Sequence, residues 1–94
     1  MIRSHKNSTT EVIAAGKTPK GFPADIVKSA QRKLTMVDEA RRLEDLLSPP
    51  GNRLEALKGD RRGQHSIRIN GQWRVCFIWS EGGADQVEIL DYHD

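Results

Sequence analysis

The hydrophobic period of the chain changes at Gly51, and this change constrains the fold more than any other feature of the sequence. Between residues 24 and 47, apolar side chains recur at spacings of three and four, as in an amphipathic helix. They are Ile26, Ala30, Leu34, Val37, Ala40, Leu43 and Leu47. After Gly51 the apolar residues alternate with period two, which is typical of strands. The sequence therefore predicts helices first and a sheet afterwards, an α+β order.

The first half predicts two helices after a short opening strand at Met1–His5. The first helix covers Thr9–Ala15. The second covers Ala24–Leu47, and Pro23 precedes it because proline's fixed φ and missing N–H suit a helix start. The segment Ser48–Gly51, with two prolines and a glycine, ends this helix.

The second half predicts a short apolar segment at Leu54–Leu57 and then three strands, Gln64–Ile69, Trp73–Ser80 and Gln86–Tyr92. Because the connections are short, neighbouring strands must pair antiparallel. No repeat or long linker divides the chain. We therefore expect one domain over residues 1–94, with the helices packed on one face of the sheet.

The hydrophobic pattern also predicts the register of the strands, because a one-residue slip would turn every side chain to the other face. A three-residue loop at Asn70–Gln72 places Ile67 opposite Val75. A three-residue loop at Glu81–Gly83 predicts two further pairs: Val75 with Ile89 and Phe77 with Val87.

This register places Arg68 directly opposite Arg74 on the other face, with Tyr92 as a diagonal neighbour of Arg74. Facing like charges destabilise a sheet, so the pair suggests an anion site, and guanidinium groups bind phosphate in bidentate fashion. The alternative is that Glu88, on the same face, neutralises the pair. Strict alternation places the side chains of Asp91 and His93 on the core side of the sheet. Alternation often fails at the end of a strand, however, and Asp91, Tyr92 and His93 would then lie together at one rim of the sheet.

The distribution of charge supports a local anion-binding surface. The net charge is +2, but residues 53–74 carry six cations and two acids, whereas residues 75–94 carry five acids and no Lys or Arg. A basic segment beside an acidic one favours a local anion-binding surface. Ordinary solvated charge is the alternative interpretation.

Several classes of function lack support in the sequence. The single cysteine, Cys76, cannot form an internal disulfide, which fits a reducing compartment. The apolar run Val75–Trp79 is far short of the roughly 20 residues that a membrane helix needs, and no signal-peptide pattern is present. No metal-binding or nucleotide-binding motif occurs. We expect a cytoplasmic protein without metal or cofactor.

Four segments resemble a known family: Pro49–Gly63 (PPGNRLEALKGDRRG), Ser66–Asn70 (SIRIN), Gln72–Phe77 (QWRVCF) and Val87–His93 (VEILDYH). Together they closely resemble the HigB plasmid-maintenance killer toxins of the RelE superfamily. The resemblance covers nearly the whole chain. It implies a RelE-like microbial RNase fold of order β-α-α-β-β-β, with two N-terminal helices on one face of a curved, mostly antiparallel sheet.

The resemblance also implies a function and partners. Members of the family are endoribonucleases that cleave mRNA in the decoding site of the 30S ribosomal subunit. Their partner is a HigA-like antitoxin with a helix-turn-helix domain. The toxin–antitoxin complex is expected to contact DNA only through this antitoxin, and no membrane partner is expected. The family's active-site positions match Lys58, Arg74, Asp91, Tyr92 and His93. Some relatives carry histidine where this chain has Glu55, so a role for Glu55 stays open.

RNA supplies its own nucleophile, the 2′-OH, so we expect metal-independent acid–base cleavage. Arg74 and Lys58 are assigned to the charge of the phosphorane, and His93 to proton transfer because its reference pKa lies near neutrality. Asp91 is expected to orient that imidazole, and Tyr92 to donate a hydrogen bond or stack on a base. Four other arginines are expected to hold RNA: Arg53, Arg61, Arg62 and Arg68. The alternatives are a non-catalytic RNA- or ribosome-binding module and a protein-interaction module.

Overall fold

The fold is taken from a computed structural model, and residues 1–92 of the chain are described. Two helices come first, α1 (Ser8–Ala14) and α2 (Ala24–Glu39). Four strands follow: β1 (Glu55–Ala56), β2 (His65–Arg68), β3 (Trp73–Ser80) and β4 (Gly83–Asp91). The strands lie in the order β1-β2-β3-β4, and each pair is antiparallel. The predicted α+β class is confirmed. No helix within residues 1–92 is long and apolar enough to span a membrane.

The core lies between the helices and one face of the sheet. Ile13 of α1 and Val37 of α2 are completely buried, as are Val75 and Phe77 of β3 and Val87 of β4, and all five belong to one cluster. Burying aliphatic and aromatic side chains on one sheet face is the main favourable term for a domain of this size. The helices therefore leave the opposite face of the sheet available for polar residues.

The opening segment runs parallel to β4 and extends the sheet at that edge. Isolated bridges join Ile2 to Ala84 and His5 to Val87. The Arg3 amide donates to the Ala84 carbonyl at 2.8 Å, and the Lys6 amide donates to the Val87 carbonyl at 2.9 Å. The predicted N-terminal strand is thus present as these two parallel bridges.

The second helix is shorter than predicted, because α2 ends at Glu39 and not at Leu47. Ala40 is extended, and the Asp45 carboxylate accepts the amides of Arg41 and Arg42, each at 3.0 Å. These backbone hydrogen bonds lower the pKa of Asp45, and they offer the chain an alternative to helical bonding. A 3₁₀ turn follows over Leu43–Leu47 and leaves Leu47 exposed, so its predicted place on the apolar face of the second helix is wrong.

The register between β2 and β3 is as predicted, with Ile67 opposite Val75 and Arg68 opposite Arg74. The Asn70 side chain closes the connecting loop by accepting the amides of Gln72 and Trp73, each at 2.8 Å.

The register between β3 and β4 follows the prediction only in part. Val75 pairs with Ile89, but β4 begins at Gly83, and a two-residue turn, Glu81–Gly82, replaces the predicted three-residue loop. Both turn residues have positive φ, which suits a tight hairpin. The register then shifts by one at Gln86, whose φ is 51°, so Phe77 faces a bulge and not a regular pair with Val87.

Candidate active site

The candidate site lies on the outer face of the sheet, away from the helices. Since Val75 and Phe77 face the core, alternation along β3 places Arg74 and Cys76 on the outer face. Their partners on β2, Arg68 and Ser66, share that face. Ser66 and Cys76 are buried and form its floor, whereas both arginines are only half-buried.

Arg74 is held by two contacts on this face. Its Nη1 donates to Ser66 Oγ at 3.0 Å, and its guanidinium carbon lies 5.2 Å from the centre of the Tyr92 ring. The second distance is that of a cation–π contact. The predicted diagonal neighbourhood of Arg74 and Tyr92 is present in the structure.

Glu88 does not neutralise the arginine pair. Its carboxylate lies 3.2 Å from Arg61 Nη1 and 3.7 Å from Lys6 Nζ. Arg61 also donates to Gln64 at 3.0 Å. Glu88 is therefore committed to other cations, and neither Arg68 nor Arg74 has an ion pair within residues 1–92. The pair keeps its full positive charge.

Lys58 and Tyr92 line one cleft of about 440 Å³ together with Glu55, Ala56 and Leu57. Lys58 follows β1, and Tyr92 follows β4, so these residues reach the cleft from the first and the last of the four strands. Tyr92 thereby connects the cleft to Arg74. Glu55, the residue that departs from the family pattern, thus lies in the same cleft as Lys58 and Tyr92.

Asp91 is placed differently from Tyr92. β4 pairs Asp91 with Trp73, so alternation puts both on the helix side of the sheet. The Asp91 carboxylate accepts a hydrogen bond from Gln72 Nε2 at 2.9 Å. The structure therefore does not gather Asp91 and Tyr92 on one rim, because β4 keeps its alternation as far as Asp91. His93 lies outside the described residues.

The four arginines expected to hold RNA differ in their surroundings. Arg53 and Arg62 are exposed, in the turns before and after β1. Arg68 is half-buried beside Arg74. Within residues 1–92 these three make no side-chain hydrogen bond or ion pair, whereas Arg61 is bound to Glu88 and Gln64. Arg61 is therefore paired within the fold and does not belong to the free cationic surface.

The remaining chemistry of the face is limited. Burial raises the pKa of the Cys76 thiol to about 11, so the thiol is protonated near neutrality and is a poor nucleophile. No cluster of three or more metal-binding side chains occurs within residues 1–92. Two polar residues in contact with the site were absent from the sequence-based prediction, Ser66 and Gln72. Ser66 could have been found from the register, which places it on the same face as Arg74.

Comparisons with known proteins show the family to which the chain belongs. The family model of the HigB-like toxins, described as RelE-like toxins of type II toxin–antitoxin systems, matches residues 6–93. Toxin HigB-1 of Vibrio cholerae serotype O1 is 45% identical over 63 residues, which are 67% of this chain and 66% of that protein, just under two thirds of its length. Endoribonuclease HigB of Proteus vulgaris is 31% identical over 93 residues, 99% of this chain and all of that protein.

Two solved structures share the fold. One is the YoeB–YefM complex from Staphylococcus aureus, with a TM-score of 0.62 and 18% identity over the whole of this chain and 99% of the other. The second is a mutant of YafQ from E. coli, with a TM-score of 0.58 and 10% identity over 97% of this chain and 93% of the other. The family match covers almost the entire sequence, and the chain belongs to the HigB-like family of RelE-like toxins of type II toxin–antitoxin systems.

Proposed function

We propose that this toxin is an endoribonuclease whose active site is the outer face of the sheet between Lys58, Arg74 and Tyr92. The observation that supports the proposal most is the position of Tyr92. Its ring contacts Arg74, and it also lines the cleft that contains Lys58. The Proteus vulgaris relative, which matches this chain end to end, carries the name endoribonuclease. The unpaired charges give the face the means to grip a phosphodiester.

The proposed reaction is attack by the RNA 2′-oxygen on the adjacent phosphorus. The 2′-OH loses its proton, a bond forms from O2′ to phosphorus, and the bond from phosphorus to O5′ breaks as O5′ gains a proton. The pentacoordinate phosphorane carries more negative charge than the starting diester. Arg74 and Lys58 supply positive charge for that transition state, which is the kind of contribution that lowers the barrier.

Proton transfer needs a base and an acid within hydrogen-bond reach of O2′ and O5′. His93, adjacent to Tyr92 in the sequence, is proposed for one of these roles. Glu55 is the carboxylate that lines the cleft with Lys58, and it is the second candidate. Asp91 stays a prediction as the group that orients His93, and its hydrogen bond with Gln72 ties it to the β2–β3 loop.

The substrate and partner are proposed on the family resemblance. We infer that the substrate is mRNA in the decoding site of the ribosome, and that the partner is a HigA-like helix-turn-helix antitoxin. The basic surface formed by Arg53, Arg62 and Arg68 is proposed to hold RNA of the ribosome or the message.

The test is cleavage of a defined mRNA by the purified toxin, with and without ribosomes. Substituting Arg74→Ala removes the central cation and is expected to lower the single-turnover cleavage rate by about 10²–10³-fold. Arg32→Ala removes an exposed arginine of α2, remote from the outer face, and serves as the matched control. Wild-type cleavage by the Arg74→Ala variant would contradict the proposal.

The same assay separates the alternatives. Cleavage only when ribosomes are present supports the proposed ribosomal substrate, and equal cleavage of free RNA rejects it. Tight RNA binding without cleavage under either condition indicates a non-catalytic binding module.

A further inference from the structure

The guanidinium of Arg74 is anchored at one nitrogen by a neutral, completely buried hydroxyl. Arg74 Nη1 donates to Ser66 Oγ at 3.0 Å, and Ser66 has no exposed surface. We propose that Ser66 is a positioning residue, which fixes Arg74 in the orientation that receives the scissile phosphate. This inference rests on the proposed endoribonuclease function and names a residue that it does not include.

The Arg74 side chain needs a hydrogen-bond partner because the nearest charged residue of the same face repels it and the acid of that face is paired elsewhere. Arg68 lies directly opposite on β2, and facing like charges repel. Glu88, an acid of the same face, is bound to Arg61 and Lys6. The long arginine side chain would otherwise sample many rotamers, and a transition state is stabilised best by groups that are oriented in advance.

Ser66 is suited to this task because its own backbone is held on both sides. It lies in β2 and pairs with Glu55 of β1 and with Cys76 of β3. A residue fixed between two strands transmits that rigidity to the group it binds.

A hydroxyl also holds Arg74 without neutralising it. A carboxylate would bind the guanidinium more strongly, but it would cancel the charge that a phosphate requires. The guanidinium has five N–H donors, and its single hydrogen bond within residues 1–92 is the one to Ser66. The contact with the Tyr92 ring, at 5.2 Å from the guanidinium carbon, is a cation–π contact and not a hydrogen bond. Donors therefore remain for a bidentate contact with phosphate.

The test is a double-mutant cycle on the single-turnover rate of mRNA cleavage, with the variants Ser66→Ala, Arg74→Ala and the double variant. Ser66→Ala is expected to slow cleavage roughly tenfold to a hundredfold, as expected for a lost hydrogen bond to a charged group. In the Arg74→Ala background the same change is expected to have almost no effect. RNA affinity should stay within about twofold, because no charge is removed.

Two further variants separate positioning from stability. Ser66→Thr keeps the hydroxyl and is expected to recover most of the activity. Thr10→Val removes another buried hydroxyl, which accepts the Ile89 amide at 3.0 Å on the core side, and is expected to lower the melting temperature without changing the cleavage rate of the folded protein.

The outcomes distinguish this inference from the proposed function. Full activity of Arg74→Ala overturns the function itself. A large loss with Arg74→Ala but none with Ser66→Ala overturns only the role of Ser66. An equal Ser66→Ala effect in both backgrounds likewise overturns it, because Ser66 would then act independently of Arg74.

Discussion

Among single residues, the two arginines that face each other on the outer face lower the stability of the sheet and do not contribute to the hydrophobic core. Arg68 and Arg74 oppose each other across β2 and β3, which destabilises a sheet by about 0.2–1 kcal/mol. Replacing either by a neutral residue would remove the repulsion without loss to the hydrophobic core. The positive charge of Arg68 and Arg74 is therefore better explained by binding of an anion than by a contribution to the stability of the fold.

Cys76 provides a residue-scale prediction. Its pKa is raised from 9.0 to about 11, chiefly because burial disfavours the thiolate, so the thiolate fraction at mildly alkaline pH is roughly a hundredfold lower than in the unfolded chain. We expect iodoacetamide to alkylate the folded protein far more slowly than the protein in denaturant, as followed by mass spectrometry. Equal rates would show that the thiol is accessible.

The same raised pKa predicts the direction of a pH effect on stability. The unfolded thiol ionises first, so the stability that Cys76 contributes is complete below about pH 9 and is lost as pH rises towards 11. Denaturant titrations of the wild type and Cys76→Ala at several alkaline pH values measure it. The variant should lose less stability than the wild type over that interval.

At the scale of elements, the β2–β3 loop fixes the end of β4. The Gln72 carbonyl accepts the Tyr92 amide at 2.7 Å, and the Gln72 side chain donates to Asp91 at 2.9 Å. Asn70 in turn holds the Gln72 amide. A loop in the middle of the sequence therefore determines where the carboxy-terminal site residues lie.

Gln72→Ala is expected to lower the cleavage rate by roughly two- to tenfold, the effect of one hydrogen bond, because the end of β4 is less well fixed. The main-chain bond to Tyr92 remains, so the loss is smaller than for Arg74→Ala. Single-turnover cleavage measures it, and Gln86→Ala, at an exposed position near the other end of β4, is the control. A Gln72→Ala variant as active as this control would show that the side chain has no such role.

At the scale of the whole molecule, the cations divide into those that are paired and those that are available. Arg61 and Lys6 are bound to Glu88, whereas Arg53, Lys58, Arg62 and Arg68 have no ion pair within residues 1–92. RNA affinity depends on the phosphates that such available cations neutralise. The net charge of +2 therefore understates the positive charge that these four side chains make available.

Binding of a fluorescent single-stranded RNA, with 2′-O-methyl groups to prevent cleavage, tests this division across salt concentrations. Arg62→Ala and Arg68→Ala are each expected to weaken binding and to reduce the slope of log K against log salt by about 0.7. Arg61→Ala should leave the slope nearly unchanged and lower the melting temperature. Identical slopes for all three variants would contradict the division.

Local sequence pattern was sufficient for the fold class, for the pairing of Val75 with Ile67 and with Ile89, and for the facing of Arg68 and Arg74. It was sufficient because alternation with period two is a local property that assigns each side chain to a face. The family motif, in addition, predicted the site residues Lys58, Arg74, Asp91, Tyr92 and His93.

Tertiary structure decided the rest. The end of α2 depends on hydrogen bonds from Arg41 and Arg42 to Asp45, and the shift in β4 depends on a left-handed residue at Gln86. The cleft that unites Lys58 with Tyr92, and the hydroxyl that holds Arg74, arise between residues distant in sequence. Such contacts follow from how the strands pack, which a periodic pattern does not specify.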